Sequence, residues 1–287
     1  MSGGDVPIIV VGGGSRIARE LADLLGETTT VISRRPSGLT REIPVRDYDV
    51  IPPDAFRGAG CVINCVGTHH GDADHLHRVN AGIPPRIAAT AKEAGVGRMI
   101  HLSSFSVFGR VQLIDGRTNP APTTAYGRSR LAGDTALLDL ADTSFAMTIV
   151  RLPLVYARDA PGKLGQLMRL WVRTGFVPVP KGDVARAMIG TRLAAEVAAG
   201  LIRNEKSGIV LAADPLPFTY RDAARVRPEK LRCLEVPRIV TGLVKRVAPE
   251  IGERLFSDSR LADADNRAIA DGLASRLYDD IAALRLR

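Results

Sequence analysis

The sequence predicts an α/β fold built on a doubly wound parallel sheet, with a smaller lobe towards the C-terminus. From residue 8 to residue 152, apolar runs of strand length alternate with segments whose apolar residues have helical spacing. Several of these runs are apolar without interruption, as in strands that are buried on both faces of a sheet. Such alternation is typical of βαβ units, in which successive strands are parallel.

The pattern changes after Tyr156, and this change predicts the domain organisation. We expect residues 1–157 to form the sheet domain and residues 158–287 the C-terminal lobe, with the segment 186–212 returning to the sheet. The lobe begins with a basic amphipathic helix that carries the single tryptophan, Trp171. The remainder of the lobe is predicted to be irregular until two short helices at its end.

The composition excludes several classes of protein. Three cysteines in 287 residues are too few for a disulfide scaffold, and no zinc spacing is present, so we expect no metal site. The sequence shows neither a signal peptide nor an apolar run of membrane-spanning length, so we expect a cytoplasmic protein that does not bind a membrane. The net charge of +8 is scattered along the chain. It therefore favours a phosphate-rich ligand over nucleic acid.

The first strand, residues 8–11, runs directly into a glycine turn and a helix. Backbone N–H groups and the positive end of the helix dipole would face one point there and form an anion site. In Rossmann-type sheets this anion is the pyrophosphate of a dinucleotide. Ser15 and Ala18 replace the second and third glycines of the usual fingerprint, and we expect Gly14 to take the tight conformation beside Ser15. The predicted cofactor contacts here are Gly12, Gly14, Ser15, Arg16 and Ile17.

The second strand, residues 28–36, ends in Ser33, Arg34 and Arg35. An acidic residue after this strand would bind the ribose 2′-hydroxyl of NAD, whereas an arginine would accept the 2′-phosphate of NADP. The guanidinium fork suits a phosphate, and Arg16 could assist. The sequence therefore favours NADP(H), with NAD(H) as the alternative.

Two later segments supply further candidate contacts. Asp47 and Tyr48 follow a short extended piece, and the strand at residues 61–67 ends in Val66 and Gly67. Gly67 would let the backbone pass close to a cofactor. We count these four residues as cofactor contacts and Thr68 as a substrate contact. The histidines in the polar segment 68–77 are predicted to be solvated loop residues rather than metal ligands.

Ser104, Tyr126 and Arg130 are the candidate catalytic residues. HLSSFSVFG places Ser104 at the end of a strand, and TAYGRSR places Tyr126 and residue 130 on one face of a helix. Together with Asn80 on the preceding helix, these segments resemble the extended short-chain dehydrogenase/reductase superfamily, the nucleotide-sugar epimerase/dehydratase/reductase group. The resemblance covers most of the chain. It departs from the family at Arg130, where the family has lysine.

The resemblance implies further site residues. The segment IVRLPLVYAR is similar to the family segment that passes under the nicotinamide, which implies cofactor contacts from Leu152, Pro153 and Val155. Tyr126 and Arg130 are also expected to contact the cofactor, with Arg130 positioning the nicotinamide ribose. RAMIG is similar to the segment whose arginine, here Arg186, contacts the substrate diphosphate. Phe105 follows the catalytic serine and is expected to contact substrate. By the same analogy, members of the family dimerise through helices near residues 80–95 and 124–140, so we expect a homodimer.

The residue types suit reduction of a carbonyl group. Hydride transfer leaves an alkoxide that needs a proton, which Tyr126 can donate while the Arg130 cation stabilises the phenolate. Ser104 can donate a hydrogen bond to the same oxygen. The Asp-Glu pair that the dehydratase branch carries after this serine is absent. The first hypothesis is therefore an NADPH-dependent reductase of a keto group on a nucleotide-activated sugar. The alternatives are an NAD-dependent 4-epimerase and a cofactor-binding scaffold or sensor without catalysis.

Overall fold

A computed structural model describes residues 7–39, 41–157, 163–181, 184–203, 206–226, 229–247, 259–262 and 275–283. Within this part of the chain no helix has the length and apolar character needed to cross a membrane. In chain order the elements are β1 (Ile8–Val11), α1 (Arg16–Leu25), β2 (Thr29–Ser33), β3 (Glu42–Pro44), β4 (Cys61–Asn64), α2 (Ala73–His77), α3 (Ile83–Glu93), β5 (Arg98–Ser104), β6 (Leu113–Ile114), α4 (Ala125–Leu138), β7 (Ala146–Leu152), β8 (Leu154–Tyr156), α5 (Lys163–Thr174), β9 (Phe176–Pro180), β10 (Ala185–Arg186), β11 (Met188–Gly190), α6 (Thr191–Arg203), β12 (Gly208–Leu211), β13 (Phe218–Thr219), α7 (Tyr220–Arg225), β14 (Arg232–Val236), α8 (Arg238–Val247), β15 (Arg260–Leu261) and α9 (Leu277–Ala283).

The central sheet has seven strands in the order β12-β7-β5-β4-β1-β2-β3. Every neighbouring pair in it is parallel. The strand order reverses between β1 and β4, so the loops after these two strands diverge and leave room at the carboxyl edge of the sheet. The α/β fold with a parallel, doubly wound sheet is therefore confirmed.

Helices cover both faces of this sheet, which explains its uninterrupted apolar strands. All four residues of β1 and of β4 are buried. α1 packs beside α6, and α3 packs beside α4. Alternate strand residues contribute to the core cluster that also contains the apolar residues of α3 and α4, as their period of two requires. This cluster includes Ile9, Val11, Val62, Met99, Ile149, Ile87, Ala88 and Leu137.

The chain divides into two compact units. The first contains residues 1–110, 118–152 and 191–212, and the second contains residues 111–117, 153–190 and 213–287. In the second unit, β8 pairs with β11, β9 with β14, β10 with β13 and β6 with β15. Its core surrounds Trp171, whose ring centroid lies 5.4 Å from that of Tyr220. The domain boundary at residues 157 and 158 stays a prediction.

Two local expectations are wrong. Residues 73–77 form helix α2 instead of a loop, because the Asp72 side chain accepts a hydrogen bond from His75 N at 2.8 Å and Leu76 is buried. The segment predicted to be irregular contains β14 and α8. β14 forms because it pairs in parallel with β9 over five residues, a long-range contact that periodicity does not reveal.

A buried ion pair ties α4 to β7. Arg151 Nε donates to Asp134 Oδ2 at 2.9 Å, and both side chains are at most 4% exposed. The Arg151 guanidinium also lies 5.2 Å from the Phe108 ring centroid. Burial raises the pKa of Asp134, while Arg151 opposes this shift. Removing one partner would leave the other charge buried without compensation.

We expect Asp134→Ala to lower the free energy of unfolding by about 3–5 kcal/mol, because Arg151 would lose its buried counterion. Urea unfolding followed by circular dichroism measures this loss. Asp54→Ala is the matched control, since Asp54 pairs with Arg57 at the surface, where both side chains are almost 80% exposed. The control should cost less than about 1 kcal/mol. Equal losses in the two variants would contradict the role given to the buried pair.

Candidate active site

The glycine turn lies at the point where the strand order reverses. Gly12 has a φ of +105°, and a Cβ on it would lie 3.1 Å from the backbone of Cys65 and Val66 after β4. Gly12 N donates to Ile32 O at 2.9 Å, and Ser15 N donates to Gly12 O at 2.8 Å. Gly12 thus takes the left-handed conformation, and the bond from Ser15 N closes a turn that has Gly13 and Gly14 at its centre. Only glycine meets both the backbone conformation and the close approach at residue 12. The contact of Gly14 with a cofactor stays a prediction.

The start of α1 is suited to bind an anion. Ser15 is the N-cap residue, but its side chain makes no capping hydrogen bond. The first N–H groups of a helix point beyond its end rather than into the helix, so the start of α1 presents backbone donors there. Ala18 is fully buried, which lets the helix pack closely on the sheet. This turn fits the pyrophosphate of a dinucleotide.

The loop after β2 lies directly beside this turn. A Cβ on Gly13 would lie 2.8 Å from the Cβ of Ser33 and 3.4 Å from that of Ser37. The side chain of Ser33 is buried, whereas Arg34 and Arg35 are exposed. The predicted residues of the adenosine region are thus brought next to the glycine turn, within one unit of the fold.

Arg34 and Tyr48 contact each other at the edge of this region. The Arg34 guanidinium lies 5.1 Å from the Tyr48 ring centroid, a cation–π distance. Tyr48 is buried, and burial raises its pKa. Asp47 Oδ1 accepts a hydrogen bond from Asp49 N at 3.4 Å and so begins a short 3₁₀ helix.

Sequence reasoning missed Glu42, the first residue of β3. Its carboxylate accepts hydrogen bonds from Ser33 Oγ and from Ser37 N, the latter at 2.9 Å and 3.1 Å to its two oxygens. Chiefly because of the bond from Ser33, the pKa of Glu42 lies below its ordinary value. An acid therefore does stand at the end of β2, but it comes from the neighbouring strand. Glu42 reaches this position because β3 pairs with β2 in a register that places Glu42 opposite Val31. The register between two strands cannot be predicted from the sequence pattern.

Tyr126 and Arg130 form a contact one helical turn apart on α4. Arg130 Nε donates to Tyr126 Oη at 3.3 Å, and Arg130 Nη1 donates to Leu102 O at 3.2 Å. A Cβ at Gly67 would overlap the Arg130 guanidinium. The absence of a side chain at residue 67 thus makes room for the longer arginine. The cation therefore lies between the loop after β4 and the carboxyl-terminal half of β5.

Ser104 is the last residue of β5 and caps the turn that follows. Its Oγ accepts from Ser106 N at 3.2 Å and donates to Ser106 Oγ at 3.1 Å. Its side chain is half-buried, so the hydroxyl is positioned by the backbone of the turn. Phe105 is buried, and its ring lies edge-on to Phe108 with centroids 5.8 Å apart. The substrate contact of Phe105 stays a prediction.

Asn80 fixes the loop after β4 to the helix that carries Tyr126. Its side chain accepts from Thr68 N and donates to Thr68 O, both at 2.8 Å, and donates to Ser129 Oγ at 3.0 Å. Ser129 Oγ in turn donates to Tyr126 O at 2.9 Å. Asn80 lies in a π-helical turn, residues 78–82, a feature that is frequent at functional sites.

A neutral histidine is buried below Arg130. His101 Nδ1 is 3.0 Å from Asn64 Nδ2, and Asn64 Oδ1 accepts from Val66 N at 2.9 Å. Asn64 therefore donates to Nδ1, and the imidazole proton lies on Nε2, for which the described residues provide no hydrogen-bond partner. Burial, with a smaller contribution from the charge of Arg130, lowers the pKa of His101 to about 3.

The remaining predicted residues lie around β7, β8 and β10. Leu152 is buried at the end of β7 in the first unit. Pro153 and Val155 belong to the second unit, where Val155 is 38% exposed on β8. Arg186 lies half-buried on β10, in antiparallel register with Phe218. Their contacts to cofactor and substrate stay predictions.

Residues 8–175 match the model of the NAD dependent epimerase/dehydratase family, and the chain belongs to this family. Its members are NAD(P)-dependent oxidoreductases and epimerases of nucleotide sugars. The chain is 26% identical over 300 residues to dTDP-4-dehydrorhamnose reductase of Mycolicibacterium smegmatis, covering 96% of this chain and 85% of that protein. It is 27% identical over 276 residues to dTDP-4-keto-6-deoxy-D-glucose reductase of Streptomyces niveus, covering 88% and 91%.

Solved structures share the fold. MoeE5 in complex with UDP-glucose and NAD matches with a TM-score of 0.72 at 18% identity, over 96% of each chain. dTDP-4-dehydrorhamnose reductase from Bacillus anthracis in complex with NADP matches with a TM-score of 0.64 at 17% identity, over 82% of this chain and 85% of that one. The fold thus occurs in proteins that bind NAD and in proteins that bind NADP.

The buried His101 makes the stability of the protein sensitive to acid. Its pKa is lower in the folded chain than the ordinary value near 6.5, so between these values the unfolded chain binds more protons. Stability is therefore retained above pH 6.5 and falls as the pH is lowered. From pH 6.5 to pH 5 the free energy of unfolding should fall by about 2 kcal/mol less in His101→Gln than in the wild-type protein.

Urea unfolding at the two pH values measures this difference. His77→Gln is the control, because His77 is an exposed histidine on α2. This variant should keep the wild-type acid dependence. If the stability of His101→Gln falls with pH as much as that of the wild-type protein, the buried imidazole is not the cause of the acid sensitivity.

Proposed function

We propose that this protein is an NADPH-dependent reductase that acts on a keto group of a nucleotide-activated sugar. The observation that carries the proposal is the hydrogen bond of 3.3 Å between Arg130 Nε and Tyr126 Oη on α4. It gives the chain a phenol proton donor next to a fixed cation. Both curated relatives reported above are named as reductases of keto sugars attached to dTDP.

Each of the three catalytic residues has one task in this reaction. Tyr126 donates its phenolic proton to the oxygen of the substrate carbonyl as that oxygen becomes an alkoxide. Ser104 donates a hydrogen bond to the same oxygen. Arg130 stabilises the phenolate that remains on Tyr126, through the contact at Nε. When bound, the nicotinamide supplies the hydride.

The cofactor is proposed to bind along the carboxyl edge of the sheet. The turn at Gly12 and the N-terminus of α1 would hold the pyrophosphate. The exposed guanidinium groups of Arg34 and Arg35 would accept the 2′-phosphate of NADP(H). Gly67 would lie beside the nicotinamide ribose, with Arg130 next to it.

The substrate proposal rests on the residues that flank Ser104 and on Arg186. Phe105 and Ser106 follow Ser104 in place of an acid pair, so the site has no acid and base there to expel a hydroxyl group. If NADPH binds reversibly and is replaced after each turnover, the reaction that fits this site is net reduction of the keto group. Arg186 would bind the substrate diphosphate, and Thr68 would contact the sugar. Assembly as a homodimer through α3 and α4 is likewise an expectation.

We expect Tyr126→Phe to lower the rate of keto-sugar reduction by about 10²–10⁴-fold, since the variant lacks the donated proton. The assay follows NADPH oxidation at 340 nm with a dTDP-4-keto-6-deoxy sugar as substrate. NADPH binding by the same variant, measured by fluorescence titration, is the control and should stay within about twofold of wild type. Full activity in Tyr126→Phe would exclude the proposed mechanism.

Two substitutions of Arg130 distinguish the effect of its charge from the effect of its shape. Arg130→Lys keeps a cation and adopts the residue that the family uses, so turnover should stay within about tenfold of wild type. Arg130→Met removes the donors to Tyr126 Oη and Leu102 O, and turnover should fall by about 100-fold or more. Steady-state turnover at saturating NADPH measures both. Equal turnover in the two variants would contradict a role for the cation.

A 4-epimerase that recycles bound NAD is the second candidate. Glu42 favours it, because an acid at the end of β2 suits the ribose diol of NAD. This enzyme would convert its substrate without added reductant and would retain NAD on purification. A scaffold without catalysis would bind the cofactor and show no turnover in either assay.

A further inference from the structure

The last residue of β2 and the loop after it contribute two hydrogen-bond donors that face one carboxylate. Ser37 N donates to both oxygens of Glu42, at 2.9 Å and 3.1 Å. Ser33 Oγ shares its one proton between Glu42 and Arg35 O, which lies 2.8 Å away. A hydroxyl group and a backbone N–H at the start of a loop are donors that also bind a phosphate monoester. In this structure the chain's own carboxylate uses them.

This cluster lies where the ribose of a dinucleotide is expected. The Cβ of Ser33 and that of Ser37 lie 2.8 Å and 3.4 Å from the Cβ position of Gly13, in the turn that follows β1. In sheets of this type the 2′ position of the adenosine ribose lies at the end of the second strand, close to that turn. The Glu42 carboxylate therefore lies beside the group that distinguishes NADP from NAD.

Glu42 differs from the usual acid of this position by its origin. A carboxylate at the end of β2 would project from the strand that carries the loop, whereas Glu42 extends from β3, in register with Val31. Glu42 therefore binds the loop through Ser33 and Ser37, while the side chains of Arg34 and Arg35 are exposed. In the described part of the chain neither arginine forms an ion pair with Glu42. The loop thus carries two exposed cations, Arg34 and Arg35, and its neutral hydrogen-bond donors bind the carboxylate of Glu42.

We propose that Glu42 is a specificity-determining residue, whose carboxylate competes with the 2′-phosphate of NADP(H) for Ser33 Oγ and Ser37 N and so limits discrimination against NAD(H). The inference rests on the proposed function, in that the adenosine ribose of the cofactor binds at this loop. A carboxylate repels a phosphate dianion a few ångströms away. The same carboxylate can accept a hydrogen bond from the free 2′-hydroxyl of NADH. The two arginines thus favour NADPH, whereas Glu42 favours NADH.

The test measures binding of four probes to three full-length proteins. The probes are NADPH, NADH, 2′,5′-ADP and 5′-AMP, and the proteins are wild type, Glu42→Gln and Glu93→Gln. Glutamine can still accept a hydrogen bond from Ser37 N but carries no charge. Glu93 is exposed on α3, so its variant has the same change in net charge away from the loop. Isothermal titration calorimetry gives each Kd.

We expect Glu42→Gln to tighten binding of 2′,5′-ADP and NADPH by about tenfold, while 5′-AMP and NADH bind equally well or more weakly. Glu93→Gln should leave the ratio of the NADH and NADPH Kd values unchanged. The inference is overturned if Glu42→Gln leaves this ratio at its wild-type value, or weakens NADPH more than NADH. The latter result would mean that the charged carboxylate supports the loop for NADPH.

Glu42→Asp provides an independent variant if the glutamine variant does not fold. Its carboxylate is one methylene shorter and is withdrawn from Ser37 N, so NADPH should bind a few-fold more tightly. An unchanged ratio in this variant would also overturn the inference.

The two proposals can fail separately. If the wild-type protein prefers NADH, the cofactor part of the proposed function fails, yet Glu42→Gln must still shift the ratio towards NADPH. If the wild-type protein prefers NADPH and the ratio is unchanged in Glu42→Gln, only the role of Glu42 fails.

Discussion

The position of the Arg130 guanidinium links the parts of the candidate site that surround Tyr126. It donates to Tyr126 Oη and to Leu102 O, and it occupies the space that a side chain at Gly67 would fill. One planar group thus contacts α4, the end of β5 and the turn after β4. Because arginine is longer than lysine and carries five donors in a fixed plane, it can make these contacts together. The departure from the family residue is therefore accommodated by the backbone around it.

The polar groups below Arg130 keep that backbone in place without adding charge. Asn64 bridges Val66 N and the His101 imidazole, and Asn80 binds both backbone groups of Thr68. All these donors and acceptors are neutral, so they position the backbone beside Arg130 without adding a charge there. A protonated His101 would add a second positive charge in a buried site, and burial disfavours that form. Neutral hydrogen bonds thus orient the site, and Arg130 supplies its electrostatics.

Much of this arrangement could be predicted from the sequence, because it depends on short-range patterns. Continuous apolar runs predict buried parallel strands, and a spacing of four residues places Tyr126 and Arg130 on one face of α4. Glu42 could not be found in this way, since its place depends on the register between β2 and β3. The same holds for β14, which pairs with a strand more than fifty residues earlier in the chain. The close approach of Gly12 to the backbone after β4 is also a long-range contact, so sequence patterns do not reveal it.

The choice of cofactor illustrates why residue identity at one position is a weak guide to specificity. Arg34 and Arg35 alone indicate a phosphate, and an acid at the same place would indicate a diol. This fold brings both kinds of group to one loop, because β3 contributes the acid that β2 lacks. Specificity is a difference between two binding free energies, so opposed groups reduce the difference even where each one binds strongly. If the cofactor binds at this loop as proposed, its distances to Glu42 and to the two arginines would set the preference between NADH and NADPH.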